Sequence, residues 1–226
     1  VNKAAGKVGK VGKVDKKVGK VDTKQKILEA AEVLFAEQGF NDTSLRLITS
    51  AADVNLASVN YHFGSKKDLI KAVMDRYLTI FMPRVDAALR QLLTEPGIKL
   101  HQVFGCFVAP LMELTVLKRR GPELFLQLLG RGYIDNQGFL RWFIVNHYGE
   151  VLEHFTRAIH KAAPELSSAD VFWRLHFTLG TVVFTMASSD ALRDIAKTDF
   201  DEDIDVEGLV RKMIPYLASG VGATPC

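Results

Sequence analysis

Residues 44–67 read S-L-R-L-I-T-S-A-A-D-V-N-L-A-S-V-N-Y-H-F-G-S-K-K, and this stretch limits the fold more than any other. Thr43 or Ser44 caps a short helix with Leu45, Ile48, Ala51 and Ala52 on its inner face and Arg46 on its outer face. Ala52-Asp53-Val54 is a tight turn, and Asp53 is one of the few non-glycine residues that tolerate the left-handed backbone such a turn requires. Asn55 caps a second short helix. Val59 and Phe63 point inward, which leaves Leu56, Ala57, Ser58, Asn60, Tyr61 and His62 facing outward or sideways. Gly64 breaks this helix, and Ser65-Lys66-Lys67-Asp68 is a capping box that opens a long one. A two-turn helix with small polar and aromatic side chains on its free face suits the DNA major groove.

The flanking residues read as scaffold. Asp22-Thr23-Lys24-Gln25 starts a helix, Ile27, Ala30, Ala31, Leu34 and Phe35 share one face of it, and Gly39 ends it. Phe40 is expected to fold back onto the core. Residues 1–22 repeat K-V-G with glycine too dense for a helix, so a disordered arm is expected there. The arm distorts the overall charge. Its seven lysines against Asp15 and Asp22 exceed the chain's formal +3, and the remaining residues carry 22 basic against 24 acidic side chains. General electropositivity therefore cannot drive DNA binding by the body, and local geometry must.

From Ser65 the helical spacing Leu69, Ile70, Val73, Tyr77, Ile80, Phe81 continues to about Leu93, with a kink or break expected at Pro83. Further helices are expected near 98–117, 122–132, 136–162, 168–195 and 206–221, punctuated by Gly121-Pro122, Ala163-Pro164 and the acidic 199–205 loop. No β-alternation is long enough for a sheet, so the expected class is all-α. With 226 residues, 48% hydrophobic, the chain can bury one large core plus a small appended domain. The two cysteines, Cys106 and Cys226, imply neither a disulfide framework nor a zinc site. No apolar h-region or membrane-length run is found, and a soluble cytoplasmic protein is expected.

Three blocks carry a family resemblance: I-L-x-A-A-x-x-L-F-x-x-x-G-F (Ile27–Phe40), T-S-L-R-x-I (Thr43–Ile48) and N-Y-H-F-x-S-K-x-x-L (Asn60–Leu69). In sequence and spacing, residues 23–70 resemble the DNA-binding domain of TetR-type transcriptional repressors. Asp53 departs from that pattern, where the family usually has glycine. The resemblance implies a helix-turn-helix domain over 23–68 and a ligand-binding and dimerisation domain over 69–226. It also implies phosphate contacts from Arg46 and Lys66, with Arg46 also able to reach a base edge, a place for Ser44 on the DNA-binding surface, and Tyr61 and His62 braced against the DNA backbone. Ser58 and Asn60 would meet base edges, and Leu56 and Ala57 a thymine methyl. The partners implied are a palindromic operator and a second copy of the chain, joined through the last two long helices. Val54–Lys67, Phe172–Gly180, Ala191–Phe200 and the run around Leu124–Leu129 resemble more narrowly the fatty-acid-responsive PsrA-type branch. That branch implies a long-chain fatty acid or acyl-CoA as effector.

Other constellations are weaker. Phe125, Leu128, Trp142, Trp173 and Phe177 are either core or the lining of an apolar pocket, with Arg131, Arg141 or Arg174 available to meet an acidic head group. Apolar faces at Leu175, Leu179, Val182, Val183 and Met186, and at Val206, Leu209, Val210, Met213, Ile214 and Leu217, are expected at the dimer interface. His147, Glu150 and His154 share a helix face that would suit a metal, but no second helix supplies matching ligands, so a polar face is expected and no cofactor. No catalytic motif is present, and Ser188-Ser189-Asp190 with His176 lacks supporting context. An enzyme is not expected. The rival is a helical lipid carrier whose first three helices are only a structural cap.

Overall fold

The computed structural model describes residues 22–135 and 138–224, so all of the lysine-rich arm except Asp22 lies outside the described residues. The order is α1 (Thr23–Gln38), α2 (Leu45–Ala52), α3 (Leu56–Phe63), α4 (Lys66–Thr94), α5 (Leu100–Gly105), α6 (Val108–Glu113), a 3-10 turn (Leu114–Val116), α7 (Gly121–Asp135), α8 (Phe139–Ala162), α9 (Ser168–Ala187), α10 (Ser189–Phe200) and α11 (Val206–Val221). The fold is all-α, and no strand occurs among the described residues. No single described helix is long and apolar enough to cross a membrane.

Three boundaries differ from expectation. Helix α4 continues through Pro83. Pro83 and Thr79 both face solvent, so the ring stays clear of the core and water can reach the carbonyl left without a backbone partner. The single helix expected over 98–117 is instead α5, α6 and a 3-10 turn. Pro110 has no N–H to offer the preceding turn, and restarting the helix at Val108 puts it in a first turn, where none is needed. The helix expected over 168–195 ends at Ala187 and restarts at Ser189, after Ser188 leaves helical geometry.

The interior is one continuous apolar cluster. Ile27, Ala31 and Phe35 of α1 are fully buried, and Phe40 closes edge-on over Phe35 with ring centroids 5.1 Å apart. A chain of rings runs through the larger part of the molecule: Tyr77 stacks on Phe125 at 5.6 Å, and Phe125 meets Phe81 at 5.0 Å. From Phe81 it continues to Phe107 at 6.3 Å and then to Phe155 at 4.9 Å. A fully buried ring such as Phe125 contributes roughly 1.5–3 kcal/mol through burial alone.

Helix α7 packs against both α1 and α9. Small residues allow the approach: a Cβ on Gly130 would lie 2.3 Å from Val183, and one on Gly132 would lie 2.1 Å from Leu140 and 3.2 Å from Phe40. Polar bonds cross the same junction. Arg131 donates to the carbonyls of Ala36 (3.4 Å) and Glu37 (2.9 Å) at the end of α1. Glu32 of α1 is only 1% exposed, yet it is a carboxylate. It accepts a hydrogen bond from the Tyr77 hydroxyl and pairs with Arg76 of α4 at 3.4 Å and Lys118, just before α7, at 2.9 Å. Burial, then the Glu32 bond, pushes the Tyr77 phenol far above its ordinary pKa, so it donates at any ordinary pH.

Candidate nucleic-acid interface

The region around α2 and α3 is held by side-chain caps. Ser44 accepts from the Leu47 N–H at 3.1 Å, Asn55 from Ser58 at 2.8 Å, and Ser65 from Asp68 at 3.2 Å. The Ser65 hydroxyl also donates to Asp68 Oδ2 at 2.5 Å, but the Ser65 N–H bonds Phe63 O at 2.9 Å, so Ser65 caps α4 without the reciprocal backbone bond of the capping box expected there. Thr43 is fully buried and donates to Gly39 O at 2.7 Å and Leu34 O at 3.1 Å, bolting the end of α1 to the start of α2. Ser44 therefore supplies the α2 cap, and Thr43 closes the preceding corner.

Asp53 adopts the left-handed conformation, with φ 52° and ψ 54°. Its N–H bonds to Ser50 O and the Val54 N–H to Thr49 O, which closes the turn and fixes α3 against α2. Val59 is fully buried beneath α3 and Ile48 beneath α2. The opposite face of α3 is open: Leu56, Ala57, Asn60 and Tyr61 are exposed, and Ser58 and His62 are half-buried. Tyr61 is 85% exposed and rests edge-on against His62 at 5.0 Å. Ser44 and Arg46 are exposed at the start of α2. Half-buried Lys66 sends its Nζ to Asn41 O at 3.2 Å, which brings the first turn of α4 beside the α1–α2 loop. All nine residues expected at a DNA surface thus lie on α2, α3 or the helix ends that frame them.

The residues expected around a ligand are not brought together. Phe125 and Leu128 are fully buried in the core. Trp142, Trp173 and Phe177 are 60%, 59% and 66% exposed, and the last two stack on one another at 6.3 Å on the outer face of α9. Arg131 binds α1 carbonyls, and Arg174 binds the carbonyls of Val221 (2.6 Å) and Ala223 (2.5 Å) at the end of α11. The expected dimer face also differs. On α9 Met186 is buried and Leu175, Leu179, Val182 and Val183 are half-covered, whereas Phe172, Trp173, Phe177 and Phe184 project outward. On α11 Val210, Met213 and Leu217 are buried, and Tyr216 is 68% exposed. Helix α9 is apolar nearly all round, and the more bulky side faces out.

The polar trio on α8 has other partners. His147 bonds Phe143 O at 2.9 Å, Glu150 pairs with Arg90 at 2.6 Å, and His154 meets Asp86 at 2.8 Å. His176 bonds Phe172 O at 2.6 Å and Tyr133 at 3.2 Å. Sequence reasoning missed Glu32 and the second Asn55–Ser58 contact, in which Ser58 Oγ lies 3.0 Å from Asn55 Oδ1. Glu32 had a signal: Leu28, Glu32 and Ala36 follow one another at four-residue spacing, which puts a carboxylate in an apolar row.

Comparison with known proteins agrees with this geometry. Residues 27–73 match the family described as bacterial regulatory proteins, tetR family, and residues 105–220 match the tetracyclin repressor-like C-terminal domain. Among curated relatives, the "Probable HTH-type transcriptional regulator YttP" of Bacillus subtilis (strain 168) is 36% identical over 76 residues, covering 34% of this chain and 37% of that protein. The HTH-type transcriptional repressor KstR2 of Mycobacterium tuberculosis is 29% identical over 97 residues, covering 42% of this chain and 46% of that protein. The chain thus aligns with less than half the length of either relative. Among solved structures, an HlyIIR mutant superposes with a TM-score of 0.58 at 21% identity, covering 87% of this chain and 95% of that one. A TetR-like transcriptional regulator from Rhodococcus sp. RHA1 superposes with a TM-score of 0.56 at 16% identity, covering 92% of this chain and 100% of that one. These structural likenesses concern the fold. With both halves matched in the family's order, and the second match alone spanning 116 of 226 residues, the chain belongs to the TetR family of bacterial transcriptional regulators.

Proposed function

We propose that this regulator is a homodimeric repressor that reads a palindromic operator with α3 and releases it when a small apolar effector binds the larger helical region. The observation that carries this reading is the open face of α3, mounted on a closed left-handed turn and a capped α4 start. Ser58 and Asn60 are the proposed base-edge contacts. Leu56 and Ala57 meet thymine methyl groups, and Ser44, Arg46, Tyr61, His62 and Lys66 hold the DNA backbone. Two α3 helices would enter successive major grooves about 34 Å apart. The second copy is proposed to seat on the outward aromatic face of α9, because exposed apolar surface of this extent marks an interaction site.

The finer proposal is that the effector is a long-chain fatty acid or acyl-CoA. Its support is the resemblance of the α9, α10 and α7 segments to the fatty-acid-responsive branch. Burying an acyl tail yields up to about 0.8 kcal/mol per methylene, enough to bias a dimer between two helix spacings. A gel shift with a palindromic fragment from upstream of the gene tests both levels. Asn60→Ala is expected to lose about 1–3 kcal/mol of operator affinity. Adding oleate or oleoyl-CoA is expected to release the wild-type complex. Release by neither lipid would remove the effector proposal, whereas undiminished binding by Asn60→Ala would remove Asn60 from the contact set.

A further inference from the structure

Asn55 and Ser58 fix the polarity of one reading position. Asn55 Oδ1 accepts from the Ser58 backbone N–H at 2.8 Å. An N–H can bond only the oxygen of an amide, so this contact settles which way the Asn55 side chain points. The same oxygen lies 3.0 Å from Ser58 Oγ. One of two bonded oxygens must donate, and Oδ1 carries no hydrogen. The single hydroxyl proton of Ser58 is therefore directed at Asn55, and only lone pairs are left to face outward.

We infer that Ser58 is a one-sided reader, accepting from the amino group of adenine or cytosine and rejecting the keto oxygens of guanine and thymine, with Asn55 as its positioning residue. This rests on α3 being the base-reading helix. A serine with a free proton bonds either class of base, because it can donate or accept. With the proton held by Asn55, a keto oxygen would face lone pairs on both sides and stay unpaired. In the major groove each base pair presents one amino and one keto edge, so Ser58 would read which strand carries the amino base.

Selection from a randomised DNA duplex library, using the full chain, tests this with Ser58→Ala, Asn55→Gly and Asn55→Asp run in parallel. Glycine is a tolerated helix cap, so Asn55→Gly frees the hydroxyl without unfolding α3. The wild-type motif is expected to contain, in each half-site, one position favouring adenine or cytosine by about tenfold. Ser58→Ala should level that position, Asn55→Gly should admit guanine and thymine there, and Asn55→Asp, which keeps an acceptor oxygen, should preserve the preference. Three results overturn the inference: a Ser58-dependent position that favours guanine or thymine, a preference that survives Asn55→Gly, or no position that changes in Ser58→Ala. Recovery of a motif with the wrong polarity leaves operator binding intact. Recovery of no motif by the wild type sinks operator binding as well.

Discussion

At the scale of single residues, the least expected group is a carboxylate in an apolar row. Glu32 is tolerated because Tyr77, Arg76 and Lys118 all point at it. Tyr77 is itself fully buried, and its hydroxyl has Glu32 as its partner. Tyr77→Phe keeps the ring stack on Phe125 and removes only the hydroxyl, so it isolates one hydrogen bond to a charged acceptor. The expected cost is about 1.5–3 kcal/mol, read as a lower urea midpoint with an unchanged slope. A variant as stable as the wild type would mean that Arg76 and Lys118 satisfy Glu32 unaided. The row Leu28, Glu32, Ala36 was legible in the sequence, but its partners were not. Lys118 lies 86 positions from Glu32, and no local pattern joins them.

Among elements, the α2–α3 turn is where sequence and structure agree most fully. Ser44, Asn55 and Ser65 cap the helices they were expected to cap, and Asp53 is left-handed as its position demanded. A non-glycine residue held there is strained, so Asp53→Gly is expected to raise stability by about 1 kcal/mol and Asp53→Val to lower it by more. Thermal unfolding of the two variants, measured beside the wild type, decides the matter; equal melting temperatures would show a turn without strain. Capping and turn chemistry are local, which is why these helices could be read from a few residues. The breaks at Cys106 and Ser188 were harder. Pro110 did carry a local signal, since a proline twelve residues past the start of a proposed helix should have restarted it. For α9 the difficulty was of another kind. An apolar arc this wide, broken by the strip of Asp170, Arg174, Thr178, Thr181 and Thr185, does not say which part of it the helix's own core will take.

For the whole molecule, the outward face of α9 is the feature that a single copy leaves unexplained. Phe172, Trp173, Phe177 and Phe184 lie on one side of the helix with exposed Gly180 between them, where no neighbouring atom would meet an added Cβ. That flat gap suits the close approach of a second helix. Phe177→Glu is expected to turn a dimer into a monomer in sedimentation and to weaken operator binding by at least about tenfold, since one α3 alone spans a half-site. It should change monomer stability by no more than roughly 0.5 kcal/mol, because Phe177 lies outside the core. A dimer that survives Phe177→Glu and Trp173→Glu together would move the interface elsewhere. The junction between α1 and α7 bears on a different matter, the exchange of parts between regulators. A chimaera cut after α4 would carry Glu32, Arg76 and Tyr77 to a new effector-sensing half but leave Lys118 and Arg131 behind. The transplanted reader would arrive with a buried negative charge short of a cation and with two α1 carbonyls stripped of their donor. A working graft of this chain must therefore be stitched downstream of α7, or must bring a lysine and an arginine of its own to the seam.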